Sequence, residues 1–166
     1  MDFIGKIIIK AAKKSPWILH LDTGGCNGCD IEIFTLLSAK YDVERFGVLD
    51  KGNPRQGDIL IVTGAVSQKM AKRVKRIYMQ MAHPKAVMAV GTCTMSCGIF
   101  AGSPVIKGPI WKIIPVDVFV QGCPPKPEEI INGLEKTIEI WASRFKAKKE
   151  CLRVKDAVEV GSHEEK

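Results

Sequence analysis

Four cysteines are the residues of this chain best suited to chemistry: Cys26 and Cys29 in the run GGCNGCD, Cys93 in GTC and Cys123 in GCPPKP. The first two form a C-x-x-C pair, and the other two stand alone, each beside a glycine. Glycine permits positive φ and lets backbone N–H groups point at sulfur, and such hydrogen bonds help to set a cluster's reduction potential. The prolines after Cys123 remove N–H groups and stiffen that turn. A Cys-Pro ending also occurs in ferredoxin cluster motifs. Structural zinc usually takes two short paired-ligand knuckles, and only one is present, so one [4Fe–4S] cluster on four thiolates is the preferred reading. A zinc site, a thioredoxin-like redox C-x-x-C and inert buried cysteines are the alternatives. The redox motif would leave Cys93 and Cys123 without a role. Cys97 lies four residues past Cys93; it reads as a nearby free thiol that could compete as a ligand. Cys151, in the basic C-terminal stretch, reads as bland.

The elements around these cysteines explain how they could meet. WILHL (17–21) reads as a strand, 30–40 as a helix with Asp30 at its N-cap, and 43–48 as a second strand. DILIVTG (58–64) is a buried strand, 67–82 a helix opened by Ser67, AVMAVG (86–91) a strand and IPVDVFVQG (114–122) another. Pro127 opens a helix expected to end near Phe145. Alternating strands and helices imply a mostly parallel sheet with helices on both faces, an α/β fold. The strands are nearly all apolar, as sheets covered on both faces require. Cys26 and Cys29, Cys93 and Cys123 each follow a strand. All four therefore fall on loops at the carboxyl edge, where such sheets bind ligands.

Length and composition fit this picture. The chain has 166 residues, 46% hydrophobic and 26% charged, values ordinary for one globular domain; its net charge of +7 reads either as a solvated Lys-rich surface or as a match for nucleic acid, an anionic membrane or an acidic protein partner. Three parts are expected: an amphipathic helix in 1–14, with Phe3, Ile4, Ile7, Ile8 and Ala11 on one face; a cluster-binding domain over 15–145; and a charged, flexible tail over 146–166. No apolar run reaches the ~18 residues needed to span a bilayer. The N-terminus lacks a signal peptide's pattern, so a reducing cytosol is expected, where cysteines serve as ligands or free thiols.

CNGCDIE (26–32), GTCTMSCG (91–98) and IPVDVFVQGCPPKPE (114–128) resemble the small, cluster-bearing subunit of membrane-bound energy-converting [NiFe] hydrogenases, a group related to the B subunit of respiratory complex I. The resemblance runs from Ser15 to about Arg144. It implies a flavodoxin-like fold and one [4Fe–4S] cluster, proximal to a partner's active site, on Cys26, Cys29, Cys93 and Cys123. It further implies a large catalytic subunit, a ferredoxin-like polyferredoxin subunit and membrane-embedded ion-translocating subunits as partners, with the chain on the cytoplasmic face of the membrane. The C-x-x-C spacing resembles the hydrogenase branch, since complex I subunits carry two adjacent cysteines there. Cys97 departs from relatives that have glycine.

Glu32 reads either as a favourable charge at a helix N-terminus or as a carboxylate near the cluster or on a proton relay at the large-subunit interface. His20 and Asp117 read as hydrogen-bonded structural residues. Lys69, Lys72, Arg73, Lys75 and Arg76 make one helix basic, a solvated face or a contact for acidic partners or lipid headgroups. No phosphate loop, dinucleotide fingerprint, Ser-His-Asp set or second C-x-x-C occurs. A catalytic centre is therefore expected on another subunit. The alternative from another class is a zinc-stapled basic module for nucleic acid; the basic helix fits it, but aromatics are only 7% and no stacking platform is visible, so no nucleic-acid partner is expected.

Overall fold

The computed structural model describes residues 15–160, with side chains as far as Arg144. The expected helix in 1–14 and the last six residues lie outside this range.

Five strands build the main sheet: β1 (Trp17–Asp22), β2 (Leu49–Asp50), β3 (Ile59–Thr63), β5 (Ala86–Val90) and β7 (Val118–Val120). They run in the order β2-β1-β3-β5-β7, and every pairing is parallel. Counting only these five, the order is 2-1-3-4-5, the flavodoxin-like arrangement, whose ligands gather where the winding reverses beside the first strand. Two further strands, β4 (Val66–Ser67) and β6 (Ile106–Gly108), pair antiparallel in a small second sheet.

Period-two alternation divides each central strand between two cores. Ile18, Ile59, Ile61, Met88, Val90 and Val120 point to one face, under α1 (Gly28–Thr35) and α4 (Pro127–Val160). Leu19, Leu60, Val62, Val87 and Ala89 point to the other, under α2 (Gln68–Gln80). Ser67 caps α2 as expected, its hydroxyl accepting from Met70 N–H at 3.3 Å. The basic side chains of α2 are exposed and join no ion pair among the described residues.

Four expectations need correction. The helix expected at 30–40 begins at Gly28 and ends at Thr35. Its N-cap is Asn27, in the left-handed region at φ 69°, and Asp30 is buried rather than capping. Its early end has a local cause. Thr35 Oγ1 donates back to the Ile31 carbonyl and Ser38 Oγ to the Thr35 carbonyl, bonds that compete with helix continuation. Residues 43–46 form a 3-10 turn, and the strand follows at Leu49. The strand expected at 114–122 shrinks to three residues. Pro115 offers no N–H, and Asp117 spends its carboxylate on Val87 N–H at 2.9 Å. Finally, the backbone of α4 continues helical to Val160, past Phe145.

His20 and Asp117 both hold the hydrogen-bonded roles expected of them. Asp117 pairs with Arg144 on α4, which also donates to the Lys85 carbonyl at 2.6 Å. This fixes the helix against the amino edge of the sheet. In its second turn Gly133 lets α4 approach β7: a Cβ there would lie 2.4 Å from Val120 Cγ2 and 3.3 Å from Met88 Sδ. Alanine is the better helix former by about 1 kcal/mol, yet the clash with a stiff valine should outweigh that gain. Gly133→Ala is therefore expected to lower stability by about 1–3 kcal/mol, read as a reduced denaturant midpoint at unchanged slope.

Candidate metal centre

The carboxyl edge of the main sheet is assembled by backbone contacts between loops distant in sequence. After β1 the chain turns on Asp22, whose Oδ1 accepts from Gly24 and Gly25 N–H at 3.0 Å each. Thr23 binds this loop to the end of β3: its N–H donates to the Thr63 carbonyl at 3.1 Å and its hydroxyl to the same oxygen at 2.7 Å. Gly25 and Gly64 then touch backbone to backbone; a Cβ on Gly64 would lie 2.4 Å from Gly25 N. The loops after β5 and β7 are joined in the same way. Gly91 N–H donates to the Val120 carbonyl at 2.8 Å, and Thr92 N–H to that of Gly122 at 2.9 Å.

These ties bring Cys26, Cys29, Cys93 and Cys123 around one cavity of about 90 Å³, also lined by Gly25, Gly64, Gly122 and Asp30. Cys29 rides on the second residue of α1 and Cys93 on the short helix α3 (Thr92–Ser96), while Cys26 and Cys123 sit in loops. Cys93 is buried, Cys29 half-buried, and Cys26 and Cys123 are exposed. Cys97 is buried beside Cys93 and Ala65, in the left-handed region at φ 67°. It does not line the cavity.

Burial pushes the Cys29 thiol up to about 11, and the charges of Asp30, Cys93, Cys26 and Cys123 add to the rise. Cys93 is raised for the same first reason, burial, followed by Cys123, Cys26 and Cys97. Ionised sulfur is therefore disfavoured at Cys29 and Cys93, and a cation bound by them must displace their protons.

The residues fit a four-thiolate iron–sulfur cluster. The fold leaves room at the sulfurs where a side chain would intrude: a Cβ on Gly91 would lie 2.5 Å from Cys29 Sγ, and one on Gly98 would lie 3.2 Å from Cys93 Sγ. Among the described residues, no three His, Cys, Asp or Glu side chains are gathered tightly enough to hold a single metal ion.

Residues 26–137 match the family model of the NADH ubiquinone oxidoreductase 20 kDa subunit. The chain belongs to this family. Among its relatives is the probable membrane-bound hydrogenase subunit mbhJ of Pyrococcus furiosus, 48% identical over 84% of this chain and 83% of the relative. Formate hydrogenlyase subunit 7 of Escherichia coli is 38% identical over 85% of this chain and 55% of its own length. A chain of the membrane-bound sulfane sulfur reductase, an archaeal respiratory membrane complex, superposes with a TM-score of 0.72 at 38% identity, covering 82% of this chain and 76% of that one.

Two side chains that the sequence reading treated as structural stand close to this site. Asp30, read there as a cap, is 3% exposed and lines the cysteine cavity. His20 donates from Nε2 to Asp30 Oδ1 at 2.8 Å, and its ring meets Phe34 edge-on. The signal for Asp30 was its position next to Cys29, which the cap assignment masked. Glu32 is half-exposed on α1 and makes no hydrogen bond or ion pair among the described residues.

Gly91 gives the site a steric test. Gly91→Ala adds a methyl 2.5 Å from Cys29 Sγ at a φ of +91°, a strained conformation for any side chain. The variant is expected to fold but to lose most of its bound iron, measured as iron per chain after anaerobic purification.

Proposed function

We propose that this chain is the electron-transfer subunit of a membrane-bound, ion-translocating oxidoreductase, carrying one [4Fe–4S] cluster on Cys26, Cys29, Cys93 and Cys123. The observation behind this reading is the single cavity lined by those four cysteines from three separate loops. When bound, the cluster supplies one-electron redox chemistry. The chain's own part is to grip, bury and tune it. Cys93 and Cys29 hold its inner side within the fold, while the exposed Cys26 and Cys123 leave an outer side within reach of a partner. Exposed apolar groups lie on or near the elements that carry the cysteines: Ile31 and Phe34 on α1, Ile99 just past Cys97, and Trp111, whose Nε1 donates to the Met95 carbonyl at 3.0 Å. Such groups mark a protein interface.

The partner facing that edge would be a large catalytic subunit holding the reaction centre. A ferredoxin-like polyferredoxin subunit would deliver electrons, and membrane-embedded subunits would move the ions. Glu32, half-exposed on the same helix as Cys29, would face the catalytic partner as a proton relay. No helix among the described residues is long and apolar enough to cross a membrane; the chain would sit as a peripheral subunit of the membrane complex, on its cytoplasmic face. Within this role we favour an energy-converting [NiFe] hydrogenase evolving hydrogen from reduced ferredoxin, because the relative named as a membrane-bound hydrogenase subunit aligns over most of both chains. A sulfur-reducing complex is the second reading, favoured by the likeness to the sulfane sulfur reductase chain; a formate-linked assembly is the third.

The test is the native complex purified anaerobically, with Cys→Ser variants of this chain. About four irons should be attributable to the proposed cluster. Cys26→Ser, Cys29→Ser, Cys93→Ser and Cys123→Ser should each abolish or convert its paramagnetic signal, whereas Cys97→Ser should leave it intact. A zinc-loaded chain, or a signal unchanged by Cys123→Ser, would sink the proposal.

A further inference from the structure

The buried carboxylate beside the cysteines has more structure around it than a helix end needs. Asp30 is 3% exposed, and removing a carboxylate from water costs several kcal/mol unless it is well bonded. Its Oδ1 accepts two hydrogen bonds, from Thr63 Oγ1 at 2.6 Å and from His20 Nε2 at 2.8 Å. The donors come from the last residue of β3 and from the middle of β1, so two core strands hold a helix residue in place. His20 is itself largely buried, with its side chain 12% exposed. Asp30 also lines the cavity shared by the four cysteines and follows Cys29 directly in the chain.

A charge fixed there acts on whatever occupies the cavity. With little water between them, a negative group opposes the arrival of further negative charge, and the opposition is stronger than at a solvated surface. An electron added to a cluster is such a charge. We infer that Asp30, held by His20 and Thr63, is a positioned charge that keeps the cluster's reduction potential low. This rests on the cluster-carrying role proposed above. Asp30 touches neither substrate nor the reacting centre of a partner; it acts on the cluster through space.

The structural alternative is an acidic residue favoured in the first turn of α1. That role would affect stability and leave the potential unmoved. Asp30→Asn separates the two, because asparagine keeps the shape and can still accept from Thr63 and His20, but carries no charge. The measurement is a potentiometric titration of the cluster's paramagnetic signal in the anaerobically purified complex, wild type against Asp30→Asn. The expected result is a midpoint shifted positive by about 59 mV or more, a tenfold rise in the reduced-to-oxidised ratio at fixed potential. An unmoved or more negative midpoint overturns the inference.

Should Asp30→Asn lose the cluster, Asp30→Ser tests the same idea with a smaller uncharged side chain: the midpoint should again move positive, and an unmoved or negative shift overturns the inference. A wild-type complex without a cluster signal on this chain refutes the proposed function instead. The two failures are thus distinguishable.

Discussion

Parallel registration is the constraint on which everything else in this chain depends. When β1, β3, β5 and β7 run the same way, each must end at the same edge, and each following loop begins there. Cysteines separated by nearly a hundred positions become neighbours without any long-range side-chain contact to draw them together. An antiparallel β7 would send Cys123 to the far edge. The apolar, β-branched run ILIVT in β3, fully buried on both faces, holds that parallel centre together.

Proximity alone would give a crowded and unfavourable edge. Burial resists ionisation and is the main reason Cys29 is driven so high, with the Asp30 carboxylate and then the neighbouring sulfurs adding to it. Backbone must also approach backbone closely enough to leave the sulfurs a shared space, hence Gly25 against Gly64 and Gly91 against Cys29. These features cost stability in the absence of a cation and are of little use to an inert core. They make sense together if positive charge is bound there, since it relieves the repulsion and fills the space. The edge is then a site whose stability is completed by its cofactor.

Most of this was legible before any coordinates. The strand at 58–64, the Ser67 cap, the Pro127 helix start and the convergence of four cysteines all follow from local patterns that the fold respects. The readings that failed did so where a tertiary hydrogen bond or an unannounced local backbone turn overrides the composition signal. Asp30 looks like a cap because Asp favours that position; it is instead drawn inward by Thr63 and His20, partners on two other strands. The segment 43–48 has strand-like composition, but a left-handed Asp42 and a left-handed Gly47 enclose a 3-10 turn there. The small β4–β6 sheet joins two segments some forty residues apart, a pairing that no periodicity announces. Cys97 could not be separated from Cys93 by spacing; its burial beside Ala65, away from the cavity, is a property of the folded loop.

The two edges of the sheet divide the work. At the amino edge the hydrogen bonds are dense and ordinary. Asp58 Oδ2 accepts from Trp17 N–H at 3.0 Å, Asp117 from Val87 N–H, Trp141 Nε1 donates to the Pro84 carbonyl at 2.8 Å, and the Lys85 ammonium caps the carbonyls ending α2. Burial holds Lys85 below the usual lysine range and Asp58 above the usual carboxylate range. These are small costs of desolvation, accepted where the bonds fasten helices to strands. At the carboxyl edge the same chain places glycines, thiols and a buried carboxylate, none of which a fold would choose for stability. A sheet rigidly fastened at one end can carry a strained, charge-bearing site at the other. Since α4 begins four residues past Cys123 and is fixed at the amino edge through Trp141 and Arg144, the firmness of one edge sets the precision of the other.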